Sequence, residues 1–106
     1  MNQDHNSPLV SILMPAFNAG NHIVECIESI QAQTYLNWEL CAVDDYSTDE
    51  TRNILLNFAK KDDRITVYQN NKKGIIPALQ LAFLQSSGEL ITRMDADDLM
   101  IDIKIE

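Results

Sequence analysis

Three carboxylates crowd into four positions near the end of this chain, Asp95, Asp97 and Asp98, directly after the stretch Leu90–Met94. Like charges that close are unfavourable unless a cation or a hydrogen-bonding ligand sits among them. The plainer alternative is a solvated acidic turn. A hard cation such as Mg2+ or Mn2+ takes one or two carboxylates and completes its shell with phosphate oxygens and water. A second acidic pair, Asp44-Asp45, ends another apolar run. It serves either as a strand stop and helix cap, or as an acceptor for a base N–H or a ribose hydroxyl. Lys72 and Lys73 precede Gly74 in a polar stretch and read as a solvated turn or as a phosphate contact. His5 and His22 belong to no cluster and read as surface or capping residues.

The elements that must position these groups follow from periodicity. Leu9–Met14 is a near-continuous apolar run, as in a strand covered on both faces, and Pro15 is expected to stop it before a loop at Ala16–Gly20. Ile23, Cys26, Ile27 and Ile30 fall on one helical face, with Asn21 as the expected cap and Glu25 in an early turn. Trp38–Val43 is a second strand. Ser47 and Glu50 fit a capping box, with Thr48 and Asp49 competing, for a helix that carries Thr51, Ile54, Leu55, Phe58 and Ala59 on one side. Lys60-Lys61 suit its C-terminus. Ile65–Gln69 is a third strand and Asn70–Gly74 a polar loop. A third helix tolerates Pro77 in its first turn, turns Ile76, Leu79, Ala82 and Phe83 to the core, and is expected to stop at Gly88. Leu90–Met94 reads as a buried fourth strand that, on the resemblance drawn below, lies at or near a sheet edge.

The order β-α-β-α-β-α-β predicts an α/β fold, a Rossmann-like parallel sheet with right-handed crossovers and helices on both faces. Ligands of such sheets bind at the carboxyl ends of the strands, near the point where strand order reverses. Four loops converge there: Pro15, Ala16, Phe17 and Asn18; Asp44 and Asp45; Lys72, Lys73 and Gly74; and Asp95 to Asp98.

Composition narrows the ligand. With 106 residues and 45% hydrophobic content, the chain suits one small domain, residues 9–106, behind a polar tail, residues 1–8. The net charge is −8, with 8 Lys and Arg against 16 Asp and Glu, so nucleic-acid binding through the phosphate backbone is not expected. An acidic protein holds a phosphorylated small molecule by bridging it through a divalent cation. No apolar run reaches membrane-spanning length and no leader pattern precedes Leu9, so a cytoplasmic location is expected. Cys26 and Cys41 read as buried, reduced thiols. A dinucleotide fingerprint would need three spaced glycines after the first strand, where Gly20 stands alone, and a P-loop is absent. A phospho-receiver domain would place its acidic pair after the first strand rather than the second.

Four stretches, Val10–Asn18 (VSILMPAFN), Val43–Thr51 (VDDYSTDET), Gly74–Leu79 (GIIPAL) and Gly88–Asp98 (GELITRMDADD), taken in order, resemble the N-terminal half of family 2 glycosyltransferases with the GT-A fold. The resemblance implies an inverting, metal-dependent transfer of sugar from a nucleoside-diphosphate donor, a UDP-sugar first, to a sugar or glycolipid acceptor in polysaccharide or glycoconjugate assembly. It implies that Pro15, Ala16, Phe17 and Asn18 line the nucleotide pocket and that Asp45 binds the base, with Asp44 beside it. The loop at Lys73 and Gly74 and the start of the third helix would close over the nucleotide. Asp95 would contact ribose or metal, and Asp97, with Asp98, would ligate Mn2+ or Mg2+. Tyr46 stands where the family often has glycine, Gln80 where it often has asparagine, and Ala82 where it often has glycine. The family's domain continues past the acidic cluster into an acceptor-binding half that carries the catalytic base, so no residue here matches that base. The chain thus reads as a truncated domain, with the alternative of a nucleotide-binding fragment without activity of its own. Surface left open by truncation is expected to drive homo-oligomers, and the full-length enzyme is expected at the inner face of the plasma membrane.

Overall fold

The apolar runs at Val10–Ala16 (β1) and Trp38–Asp44 (β2) form the middle of a parallel sheet in the computed structural model of the chain, which describes residues 7–97. Helix α1 (Ile23–Gln31), helix α2 (Thr51–Lys61), strand β3 (Ile65–Gln69), helix α3 (Ile75–Gln85) and strand β4 (Leu90–Arg93) complete the described alternation. The sheet order is β3-β2-β1-β4, all neighbours parallel, with Val10 opposite Trp38 and Leu90, and Leu40 opposite Ile65. Among the described residues, no helix is long and apolar enough to cross a membrane. His5, Asp98 and the stretch beyond it, and most of the expected tail lie outside the described residues.

The two-sided apolar pattern of β1 and β2 feeds two cores. Val10, Ile12 and Met14 join Leu40 and Ala42 under α1 and α2, whereas Leu13, Cys41 and Val43 pack with Ala78 and Ala82 of α3 on the other face. The α1 stripe behaves as its spacing requires, with Ile23, Cys26, Ile27 and Ile30 fully buried. Burial is worth about 1.5–3 kcal/mol per large aliphatic side chain. On α2, Thr51 and Leu55 are buried, and Ile54, Phe58 and Ala59 pack partly against the same core.

Several local expectations are corrected. Pro15 does not stop β1, which runs on through Ala16. Residues of β1 alternate between neighbours: the Ala16 carbonyl accepts from Asp45 on the β2 side, and the Leu13 carbonyl accepts from Met94 on the β4 side. Pro15 therefore points its missing N–H to the side where β4 has already ended, where a ladder loses nothing. Asn21 does not cap α1; His22 occupies the N-cap position and makes no capping bond. The Ser47–Glu50 capping box does not form either, since Ser47 Oγ accepts the Asn18 N–H and Asp49 Oδ1 accepts the Thr51 N–H. On α3, Ala78 and Ala82 are buried while Ile76 and Phe83 stand 63% and 58% exposed. Helix α3 ends at Gln85, and Gly88 serves close packing instead: a Cβ there would lie 2.4 Å from Ser11 Oγ and 2.7 Å from the Leu9 carbonyl oxygen. Strand β4 is an edge strand, as expected, but all four of its residues are exposed rather than buried.

Candidate functional site

Strand order reverses beside β1, and there a cavity of about 300 Å3 opens at the carboxyl edge of the sheet. Its walls are Pro15, Ala16, Phe17, Asn18 and Ala19 after β1, His22 at the start of α1, Asp45 after β2, Ile75 at the start of α3, and Asp95, Ala96 and Asp97 after β4. Three of the four converging loops thus line one space. The fourth contributes indirectly. Lys73 does not line the cavity; its Nζ stands 4.1 Å from the centre of the Phe17 ring, a cation–π contact across two loops. Gly74 instead donates its N–H to Asp45 Oδ1 at 3.0 Å.

The β1–α1 and β2–α2 loops are stitched by main-chain donors. The Asn18 N–H donates to Ser47 Oγ at 3.0 Å, and Asn18 Oδ1 accepts the Thr48 N–H at 2.8 Å. The Ala19 N–H reaches Thr51 Oγ1 at 2.8 Å and the Gly20 N–H reaches Asp49 Oδ2 at 3.0 Å. Asn18 (φ 47) and Tyr46 (φ 62) both adopt left-handed backbone, a conformation that glycine takes at no steric cost and a bulky side chain such as Tyr46 rarely adopts. The bonds from Thr51 hold the Asp49 carboxyl below its ordinary range.

The two acids of the Asp44-Asp45 pair have separate surroundings. Asp44 is buried and does not line the cavity; its Oδ2 accepts the Ser47 N–H at 3.3 Å, and its Oδ1 has no partner among the described residues. Asp45 lines the cavity, with Oδ1 held by both Gly74 and Asn70.

At the β4 end, Arg93 Nε and Nη2 both lie 3.0 Å from Asp95 Oδ1, and the Asp95 carbonyl accepts the Cys26 thiol, tying the acidic turn to α1. Asp95 and Asp97 offer two carboxylates to one cavity, a donor set that fits a hard divalent cation drawing its other ligands from phosphate and water. Among the described residues no group of three His, Cys, Asp or Glu closes a metal cage. Asp98, the third expected ligand, lies outside the described residues.

Ala96, within the converging Asp95–Asp98 turn, and Ile75, at the start of the third helix, fall where the sequence placed the rim, whereas Ala19 and His22 were missed as wall residues. For His22 a signal existed, since it stands at the N-cap of α1, just after the loop assigned to the site. Asn70, read only as part of a polar loop, is almost fully buried behind Asp45.

The glycosyl transferase family 2 model matches residues 11–106. The chain is 41% identical over 101 residues to glycosyltransferase GlyG of Streptococcus pneumoniae, covering 94% of this chain and 34% of that protein. It is 43% identical over 99 residues to the UDP-Glc:alpha-D-GlcNAc-diphosphoundecaprenol beta-1,3-glucosyltransferase WfgD of Escherichia coli, covering 92% of this chain and 38% of that one. Among solved structures, Staphylococcus aureus TarS 1-349 in complex with UDP superposes with a TM-score of 0.78 at 29% identity, covering 85% of this chain and 28% of that one. The mannosyltransferase PcManGT from Pyrobaculum calidifontis, in complex with GDP-Man and Mn2+, gives 0.82 at 27% identity, covering 92% and 30%. The chain therefore spans between about a third and two fifths of the length of these curated relatives. The parallel sheet, the helices on its two faces and the match from Ser11 onward agree: the chain belongs to glycosyl transferase family 2 and has the architecture of GT-A glycosyltransferases.

Proposed function

We propose that the cavity binds a nucleoside-diphosphate sugar, a UDP-sugar first, and that the chain supplies the donor-binding part of an inverting, metal-dependent transfer of that sugar to an acceptor hydroxyl. One observation carries the reading: loops after β1, β2 and β4 bring Phe17, Asn18, Asp45, Asp95 and Asp97 to the wall of one cavity in a family 2 chain. In this reading Pro15 to Asn18 flank the nucleotide, and the Asp45 carboxylate accepts the base N–H. Asp44 steadies the loop behind it. Lys73 and Gly74 close the side of the pocket next to Phe17, and Asp95 contacts ribose or metal. Asp97, with Asp98, would hold Mn2+ or Mg2+, which when bound stabilises charge on the departing diphosphate. None of these residues is assigned as the base that takes the acceptor's proton.

The UDP complex of TarS supports the donor class, and the diphosphoundecaprenol-linked acceptor in WfgD's name supports a sugar or glycolipid acceptor in polysaccharide or glycoconjugate assembly. We propose that the full-length enzyme works at the inner face of the plasma membrane. A second reading rests on length. The chain spans about a third of its relatives, and in this reading it binds a nucleotide without turnover of its own. Calorimetry with UDP, with and without Mn2+, beside a sugar-transfer assay, tests both. The expected result is UDP binding strengthened at least ~10-fold by Mn2+, with that gain lost when Asp95 and Asp97 are both replaced by Asn. UDP affinity indifferent to metal and to those replacements would sink the metal-bridged reading, and turnover by the isolated chain would remove the second one.

A further inference from the structure

We infer that Asn70 is a positioning residue for Asp45, and that through it the β3–α3 loop sets how tightly the cavity holds the base of its nucleotide; the inference rests on the base contact proposed for Asp45. Asn70 follows β3 directly, and its main-chain N–H donates to the Asp44 carbonyl at 2.9 Å, which fixes it at the end of the sheet. Its side chain is 2% exposed. From there Nδ2 donates to Asp45 Oδ1 at 3.0 Å and to the Gly74 carbonyl at 3.1 Å. The Gly74 N–H closes the knot on the same Asp45 oxygen, from a backbone at φ 130 that favours glycine.

Two features mark this knot as more than packing. First, Asn70 Oδ1 is buried with no hydrogen-bond partner among the described residues. An unsatisfied buried acceptor opposes folding, so an amide at this position is explained by what its other end does. The amide orientation is forced, because turning it would set a carbonyl oxygen against the Asp45 carboxylate and leave the Gly74 carbonyl without its donor. Second, both donors converge on Oδ1, so Asp45 stands at the cavity wall with Oδ2 carrying no bond within the described residues. A carboxylate gripped at one oxygen presents the other in one direction, which is what reading a single base N–H requires. Gly74 is followed by Ile75, itself a wall residue, so the same knot also places the first turn of α3 against the cavity.

The test is a double-mutant cycle on binding, with UDP in the presence of Mn2+ and inorganic pyrophosphate with Mn2+ as a second probe. Asn70→Ala should weaken UDP ~10-fold while leaving pyrophosphate affinity unchanged, because pyrophosphate lacks the base. Asp45→Asn should weaken UDP by a similar factor, and Asn70→Ala should add little on that background, since residues acting through one contact are non-additive. Asn70→Ser, which keeps a hydroxyl donor, should recover part of the loss and carries the same cycle if the alanine variant does not fold. Additive losses in the cycle, or equal weakening of UDP and pyrophosphate, would overturn the role of Asn70. An Asp45→Asn variant with unchanged UDP affinity would instead overturn the base contact on which the inference rests.

Discussion

Asn18 joins two loops from a left-handed backbone (φ 47), giving its N–H to Ser47 and receiving the Thr48 N–H on its side chain. Left-handed backbone costs most residues about 1–2 kcal/mol, and asparagine tolerates it better than most. Replacing Asn18 by Ala should therefore destabilise the fold by about 1–2 kcal/mol, through strain and the orphaned Thr48 N–H, as measured by urea unfolding. Titration offers a second check. The Arg64 guanidinium beside Asp62 holds that carboxyl down at about 2. A depressed folded-state value means the pair's contribution is present above the ordinary value of 3.8 and is lost as pH falls toward 2. The melting-temperature gap between the native chain and Asp62→Asn should accordingly be steady above pH 4 and close between about pH 4 and pH 2. Burial pushes the Cys41 thiol up to about 11, and Cys26 is also buried. Neither thiol should react with iodoacetamide at pH 8 until denaturant is added, as mass spectrometry would show. The buried thiols were legible from the apolar runs around Cys26 and Cys41. The Asn18 bonds were not, because their partners lie about thirty positions away, and the Asp62–Arg64 pair, only two positions apart, carried no pattern that marked it.

Among the elements, the buried face of α1 was legible and that of α3 was not, for one physical reason. Polar residues flank the apolar stripe of α1, so its period points to a single buried face. Helix α3 is apolar nearly all round, and its pattern allows more than one face inward. Small Ala78 and Ala82 meet the sheet because they let the helix approach closely, leaving the larger Ile76, Phe83 and Leu84 outside. Strand β4 shows the same limit: apolar content identified a strand, but burial depends on neighbours that the stretch itself does not encode. Its seat is nonetheless specific. Glu39 Oε2 accepts the Ser87 N–H, and Ser11 Oγ accepts the Gly88 N–H at 2.8 Å, pinning the α3–β4 connection to the centre of the sheet. Gly88→Ala would drive a methyl into Ser11 and the Leu9 carbonyl, and should cost about 1–3 kcal/mol in thermal or urea unfolding. The placement of Asp45, Asp95 and Asp97 at the cavity was legible because an apolar run ending in carboxylates carries them to the rim of a parallel sheet. Asn70 was not, since a polar residue in a polar loop gives no sign of burial.

At the scale of the molecule, a net charge of −8 coexists with an apolar outer face on α3, where Leu84 is 76% exposed, and with apolar residues on the open β4 edge. Exposed patches and open strand edges promote association. We therefore expect this chain to self-associate, with an apparent mass by light scattering that rises with concentration and falls on Leu84→Lys. A monomer at every concentration would count against it.

The sheet order has a further consequence, in time rather than in space. β1, the first strand made, occupies the interior of the sheet, and its second neighbour β4 is the last made of the four, eighty positions later in the pairing of Val10 with Leu90. As the chain leaves the ribosome, β1, β2 and β3 can assemble with their helices while one side of β1 stays open. The acidic turn arrives only when β4 closes that side. Among the described strands, β4 thus brings the last wall of the cavity, and on the proposed function nucleotide binding should appear abruptly once β4 has docked rather than by degrees.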